Sequence, residues 1–286
     1  MRDRRARRYA HDAAGAHDLP RTLHVVALHV HEWGDRAGEP LVCLHGITAH
    51  GARFRKLAEE RLAHRRVLAP DLRGHGRSPH EPPWSLRRHV ADVLQTADAL
   101  GVEDADWLGH SFGARVALEL AAATPERVRR LVLLDPAVWV PPPVALDRAE
   151  RARVQSSFAA PEEAVAERLA SGTVLHTPRA LLEEEAAAHL ERGTDGRLRF
   201  RYAPAAVVAA YGELAEPPPL ERVRAPALLV RGASSDVCPD ALVDAVRSAL
   251  GTRLEVVEVP GGHTVLWDAF DATADAVASW LEDPRA

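Results

Sequence analysis

The chain has 286 residues, 47% of them hydrophobic and 27% charged, and carries a formal net charge of −5. That balance excludes a collagen-like or disordered polymer, and no apolar run approaches the ~18 residues of a membrane-spanning helix. The acidic charge offers no field for nucleic acid, and two cysteines, Cys43 and Cys238, are too few for a disulfide framework. A protein of a reducing cytoplasm is expected.

Residues 1–20 hold Arg2, Arg4, Arg5, Arg7 and Arg8, with no apolar stretch after them as an export signal would require. They read as a mobile, solvated arm. Two strands follow, residues 23–28 and 29–33, turning at Gly34. Residues 41–44 form a short apolar run ending at His45-Gly46, as in a buried parallel strand. A helix over 54–64, a strand over 66–70 and a Gly/Arg/His/Pro-rich loop over 71–83 come next. Ser85 can cap a helix running to residue 100. A strand over 105–108, a helix over 114–123 and a strand over 130–134 complete the first half. Strands alternating with helices at this spacing predict a parallel sheet covered on both faces.

The rhythm breaks at Pro141-Pro142-Pro143 and resumes after Pro217-Pro218-Pro219. Between them, residues 161–170, 178–191 and 204–214 carry helical periodicity. The domain reading is an α/β core of residues 21–140 and 220–286, with residues 141–219 inserted as a helical cap. A strand over 227–231, a helix over 239–250, a strand over 254–259 and a helix over 266–281 close the chain.

The peptide Gly109-His110-Ser111-Phe112-Gly113 follows an apolar strand and opens a helix. A serine on so sharp a turn takes strained backbone angles and projects above the carboxyl edge of the sheet, where ligands of such sheets bind. A serine hydroxyl needs a base and an orienting acid to act as a nucleophile. His263 follows the last strand at the same edge and fits the base. Asp236, in the loop after the preceding strand, fits the acid, and Asp135, which ends an earlier strand, is the alternative. The backbone N–H groups of Phe112 and Ile47, the latter in the His45-Gly46-Ile47-Thr48 turn, are the candidate oxyanion donors.

With Leu44-His45-Gly46-Ile47, Asp71 through Ser78, Gly109 through Gly113, Gly232 through Asp236 and Gly262-His263 in that order, the chain resembles the α/β-hydrolase family, in particular its bacterial members with a helical cap. The resemblance covers about residues 23–281. It implies a mostly parallel eight-stranded sheet flanked by helices, a Ser-His-Asp triad and no cofactor. Some relatives supply the carboxylate from the position of Asp135. Relatives that cleave carbon–halogen bonds or open epoxides carry aspartate at the elbow, so Ser111 points to acyl transfer. In the family the loop of Asp71 and Arg73 is structural and braces the oxyanion turn.

Fifteen histidines are present, but no HxHxDH, HExxH or CxxC framework accompanies them, and no metal is expected. His45, His110, Trp139, Phe158 and Tyr211 are candidates for the substrate pocket, with Phe200 and Tyr202 as further aromatics of the insertion. The expectation is a cofactor-free serine hydrolase, monomer or homodimer, cleaving a small or medium ester, lactone or thioester. Its partner would be a small-molecule substrate, with neither nucleic acid nor membrane. A carbon–carbon bond hydrolase with the same triad is the alternative within enzymes. A non-catalytic ligand-binding protein on this fold is the alternative outside them.

Overall fold

The structure, a computed structural model, describes residues 28–171, 174 and 176–284. The chain opens with β1 (Val30–Gly34), β2 (Pro40–Leu44), the short helix α1 (Arg55–Glu60) and β3 (Arg66–Pro70). Then come α2 (Leu86–Ala99), β4 (Ala105–His110), α3 (Phe112–Ala123) and β5 (Val128–Leu134). An insertion follows: α4 (Pro142–Ala152), α5 (Pro161–Ala170), α6 (Arg179–His189), the strands β6 (Leu190–Arg192) and β7 (Leu198–Phe200), and α7 (Pro204–Leu214). The chain ends with β8 (Ala227–Gly232), α8 (Asp240–Leu250), β9 (Leu254–Val259), α9 (Val265–Asp268) and α10 (Phe270–Glu282).

Among the described residues the main sheet has seven strands in the order β1-β3-β2-β4-β5-β8-β9, with β1 antiparallel to β3 and the others parallel. The strand expected over residues 23–28 and the arm over 1–20 lie outside the described residues, Leu28 excepted. Because strand side chains alternate, each strand feeds both faces. Leu41, Cys43, Leu108, Val132, Leu134 and Val230 pack with Leu57 of α1 and Val277 of α10. Val42, Leu44, Trp107, Leu131, Leu133 and Leu229 pack with Val93 of α2, Val116 and Leu120 of α3, and Val246 of α8. Burying each large aliphatic side chain stabilises by roughly 1.5–3 kcal/mol. Both cysteines are free and buried; burial pushes the Cys43 thiol up and the Cys238 thiol to about 12, so neither is a ready nucleophile.

Ser85 caps α2 as its sequence position suggests, its Oγ accepting from the Arg88 N–H at 3.3 Å. Helices form where the insertion's periodicity predicts them, with one difference: the helix expected over 178–191 stops at His189 and a two-stranded hairpin follows. The reason is local. In Gly193-Thr194-Asp195-Gly196, Gly196 takes φ +76° and the Asp195 carboxylate accepts from the Arg197 N–H at 3.0 Å, which closes a turn. Part of the insertion has an apolar cluster of its own, including Phe158, Val165, Leu182, Leu198 and Phe200.

Two devices tie the insertion to the sheet. Arg115 of α3, buried, donates to the carbonyls of Val138 at 2.6 Å, Glu216 at 2.8 Å and Pro217 at 3.3 Å, so one guanidinium holds both ends of the insertion. The loop after β3 pairs with the insertion through backbone: the Gly76 N–H donates to Arg201 and the Ala203 N–H to Gly74, each at 2.7 Å. A Cβ at Gly74 would stand 2.4 Å from the Ala206 methyl, and φ there is +82°. Glycine is required by both space and conformation. No helix among the described residues is long and apolar enough to cross a membrane.

Candidate active site

Ser111 lies between β4 and α3 with φ 55° and ψ −118°. Its neighbours explain how the strained turn is held. A Cβ at Gly109 would lie 2.4 Å from the Ala114 nitrogen, and one at Gly113 only 2.1 Å from the Leu44 carbonyl oxygen. Two glycines therefore let α3 start directly against the ends of β4 and β2. The Ser111 N–H donates to the Leu134 carbonyl at 3.1 Å and its carbonyl accepts from the Ala137 N–H at 3.2 Å.

The His263 Nε2 atom lies 2.9 Å from Ser111 Oγ and its Nδ1 atom 2.6 Å from Asp135 Oδ2. An Nδ1–H donating to the carboxylate leaves Nε2 as the acceptor for the serine hydroxyl, the tautomer that base catalysis needs. Asp135 is fully buried and takes φ +38°. Its Oδ1 accepts from the Gly232 N–H at 3.0 Å and its Oδ2 from the Ser235 hydroxyl at 2.5 Å.

The expected acid, Asp236, is not in this relay. It is exposed and faces the cavity in the loop after β8. The loop turns at this point, the Ser235 N–H donating to the Gly232 carbonyl at 3.0 Å. Here Ser235 turns inward to the relay and Asp236 outward. Asp135, the alternative, ends β5, the immediate sheet neighbour of the serine strand β4. The loops after β8 and β9 close over it, with the Ser234 N–H donating to Gly261 at 2.8 Å. Sequence reasoning missed Gly232 and Ser235 as donors; nothing in the linear pattern marks a serine beside an aspartate as its support.

Ile47 and Phe112 flank the serine as expected. Among the described residues neither backbone N–H is taken by a protein acceptor. Thr48 follows Ile47 with φ +61°, so Thr48, Ser111 and Asp135 are all non-glycine residues at positive φ. A Cβ at Gly46 would lie 3.0 Å from Ser111 Cβ and 3.2 Å from His110 Nδ1.

The other pocket candidates separate. Trp139, Tyr211 and His110 line a cavity of about 1990 Å³ that contains Ser111, His263 and Ile47. His45 is buried beneath the oxyanion turn instead. Its Nδ1–H donates to the Gly46 carbonyl at 2.8 Å and its Nε2 accepts from the Leu72 N–H at 2.8 Å. Burial lowers its pKa well below the ordinary histidine range. Phe158 packs in the core of the insertion with Phe200, and Tyr202 packs against that core. These rings are spent on packing because so small a layer has few other apolar groups to bury. His110 Nε2 lies 2.9 Å from the His263 carbonyl, and burial lowers His110 to about 3. A neutral ring donating there holds the loop of the base.

Arg73 does not brace the oxyanion turn. It pairs with Asp92 of α2 at 2.6 and 3.1 Å. Asp71 accepts from the Gly51 N–H at 2.7 Å and the Arg77 N–H at 2.8 Å, and His31 lies 3.4 Å away. These contacts hold its carboxyl below the usual range despite burial. His29, His31 and Asp71 bring ligand atoms within 4.8 Å of one another. Both carboxylate oxygens there already accept backbone N–H groups.

The family model for the alpha/beta hydrolase fold matches residues 39–270. The chain is 34% identical over 243 residues to lipase LipV of Mycobacterium tuberculosis, covering 84% of this chain and 92% of that protein. It is 41% identical over 118 residues to 2-hydroxymuconate semialdehyde hydrolase of a Pseudomonas species, covering 39% of this chain and 41% of that one. Among solved structures, E-2-(acetamidomethylene)succinate hydrolase superposes with a TM-score of 0.80 at 27% identity, covering 90% of this chain and 95% of the other.

Proposed function

The chain belongs to the α/β-hydrolase family and is a hydrolase, and we propose that it cleaves a carboxylic ester, lactone or thioester through an acyl-enzyme on Ser111. The observation that carries this reading is the continuous relay of Ser111 Oγ, His263 and Asp135, at 2.9 and 2.6 Å, opening onto the cavity.

In this mechanism Ser111 Oγ attacks the carbonyl carbon while His263 Nε2 takes its proton. Asp135 holds the ring in the productive tautomer and stabilises the imidazolium as it forms. The developing oxyanion is met by the Ile47 and Phe112 N–H groups, neither of which is taken by a protein acceptor among the described residues. Collapse expels the alcohol or thiol, protonated by His263. A water activated by the same nitrogen then hydrolyses the acyl-enzyme and restores the serine. None of these steps needs a cofactor. The insertion acts as a cap, its Tyr211 lining the cavity together with Trp139 from the loop that precedes it.

The likeness to lipase LipV over most of the chain supports ester cleavage. Carbon–carbon bond hydrolysis is the second reading, favoured by the local likeness to 2-hydroxymuconate semialdehyde hydrolase. Hydrolysis of p-nitrophenyl esters from acetate to decanoate by wild type and Ser111→Ala separates them. Turnover lost in the variant is expected. Folded wild type that cleaves no ester, yet is labelled at Ser111 by a fluorophosphonate, would shift the assignment to the carbon–carbon reaction.

A further inference from the structure

Arg168 on α5 is a cation without a counter-ion. Among the described residues its guanidinium has no hydrogen bond or ion pair, and it stacks over the face of Phe200, with the carbon 5.0 Å from the ring centroid. It is half-buried, and the side on which it is open is the cavity that holds Ser111 and His263. Desolvation by burial lowers its pKa, and the second largest contribution is repulsion from Arg53.

The carboxylates that might neutralise it are committed elsewhere. Glu185, buried, pairs with Arg53 and lies 2.9 Å from His50 Nε2. Asp268 accepts from the Gly262 N–H at 2.8 Å and from the Thr177 and Thr264 hydroxyls at 2.6 and 2.9 Å. Asp135 belongs to the relay. Glu167, the chain neighbour of Arg168, is exposed and makes no ion pair with it. Other arginines show how this chain treats buried cations: Arg73 is paired with Asp92, Arg65 with Asp106, and Arg115 with three carbonyls and Glu119. Keeping a guanidinium desolvated and unpaired is costly, so a stacked one left open to the active cavity is poised for an anionic ligand.

We propose that Arg168 is a specificity-determining residue that binds a carboxylate on the substrate, so that the molecule cleaved at Ser111 carries a second, ionised carboxyl group apart from the scissile carbonyl. The guanidinium face is spent on Phe200. Its edge remains, and a planar edge of N–H donors matches a carboxylate in two parallel hydrogen bonds. Arg53 lies close enough to strengthen the field but is held by Glu185 and stacked on Trp267 at 4.4 Å, so Arg168 is the charge left for the ligand. This inference rests on the Ser111 nucleophile reading.

The test compares half-esters with neutral isosteres: the monomethyl esters of succinate through pimelate against methyl butyrate through methyl heptanoate. At the best length, kcat/KM should favour the half-ester at least tenfold. Arg168→Gln should reduce that preference by about tenfold to a hundredfold, the range of a charge-assisted hydrogen bond, with Arg168→Lys retaining part of it. A second arm needs neither turnover nor a stable variant. Labelling of wild-type Ser111 by a neutral fluorophosphonate should be slowed by glutarate at concentrations where the neutral diamide, glutaramide, has no effect. Neutral esters preferred at every length, or a preference that survives Arg168→Gln, overturns the assignment of Arg168. Equal protection by glutarate and glutaramide overturns it too. Absence of Ser111 labelling in folded protein would instead overturn the nucleophile reading itself.

Discussion

His263 Nδ1 meets Asp135 Oδ2 at 2.6 Å, while Asp236, nearer in sequence to the histidine, stands exposed at the cavity wall. Asp135→Asn should therefore lower kcat about a hundredfold to ten-thousandfold, because an amide cannot hold the required tautomer. Asp236→Asn should change it less than about threefold. Steady-state kinetics on one p-nitrophenyl ester ranks the two, and the reverse ranking would return the acid to the loop after β8.

Ser235 gives Asp135 one of its three donors, at 2.5 Å. Ser235→Ala removes about 1 kcal/mol of hydrogen bonding, which corresponds to roughly a fivefold fall in kcat. KM should hardly move, since the hydroxyl faces the carboxylate and not the substrate. A change confined to KM would contradict this placement.

Gly46→Ala puts a methyl 3.0 Å from Ser111 Cβ and 3.2 Å from His110 Nδ1. The turn carrying the Ile47 N–H must shift. Loss of one oxyanion donor costs about a hundredfold to a thousandfold, so a displaced donor should cost at least tenfold in kcat. Thermal unfolding of the same variant checks that the fold survives; full activity in a stable variant would remove Ile47 from the oxyanion site.

Acid should unfold the protein early. Burial lowers His75 to about 4, His89 to about 3 and His189 to about 2. Below the ordinary histidine range the unfolded chain binds protons at these rings while the folded chain does not. Stability is therefore complete above about pH 6.5 and falls as pH drops towards each folded value. The limit is roughly 1.4 kcal/mol per ring per pH unit, which over two units is comparable to the ~5–15 kcal/mol margin of a domain. Glu185 and Asp71, both held below the usual carboxyl range, add to the loss at lower pH still. Melting temperature measured from pH 8 to 4.5 should decline steadily below 6.5; a flat profile would mean that these rings become solvated without unfolding.

Much of this was legible in the linear order. The strand–turn–helix pattern around Ser111 needs only local information, since apolar alternation, two glycines and a following helix are encoded within a dozen residues. The same holds for the Gly-rich loop of His263 after the last strand and for the helices of the insertion, whose ends are set by prolines. The hairpin over residues 190–200 was hidden because helical periodicity in the preceding residues ran on into a strand too short to show alternation.

What only the tertiary structure decided is which carboxylate faces the base, and which aromatic rings face the cavity. Asp135 and Asp236 both follow strands at the same sheet edge, and sequence separation does not distinguish them. Strand order does, because β5 lies beside the serine strand and β8 one place further. Side-chain direction in the loop after β8 then turns Ser235 towards the relay and Asp236 away from it. Phe158 and Tyr211 are alike in composition terms, yet one fills the core of the insertion and the other lines the cavity. Local chemistry sets what each residue is able to do; the packing of distant segments sets which one is within reach.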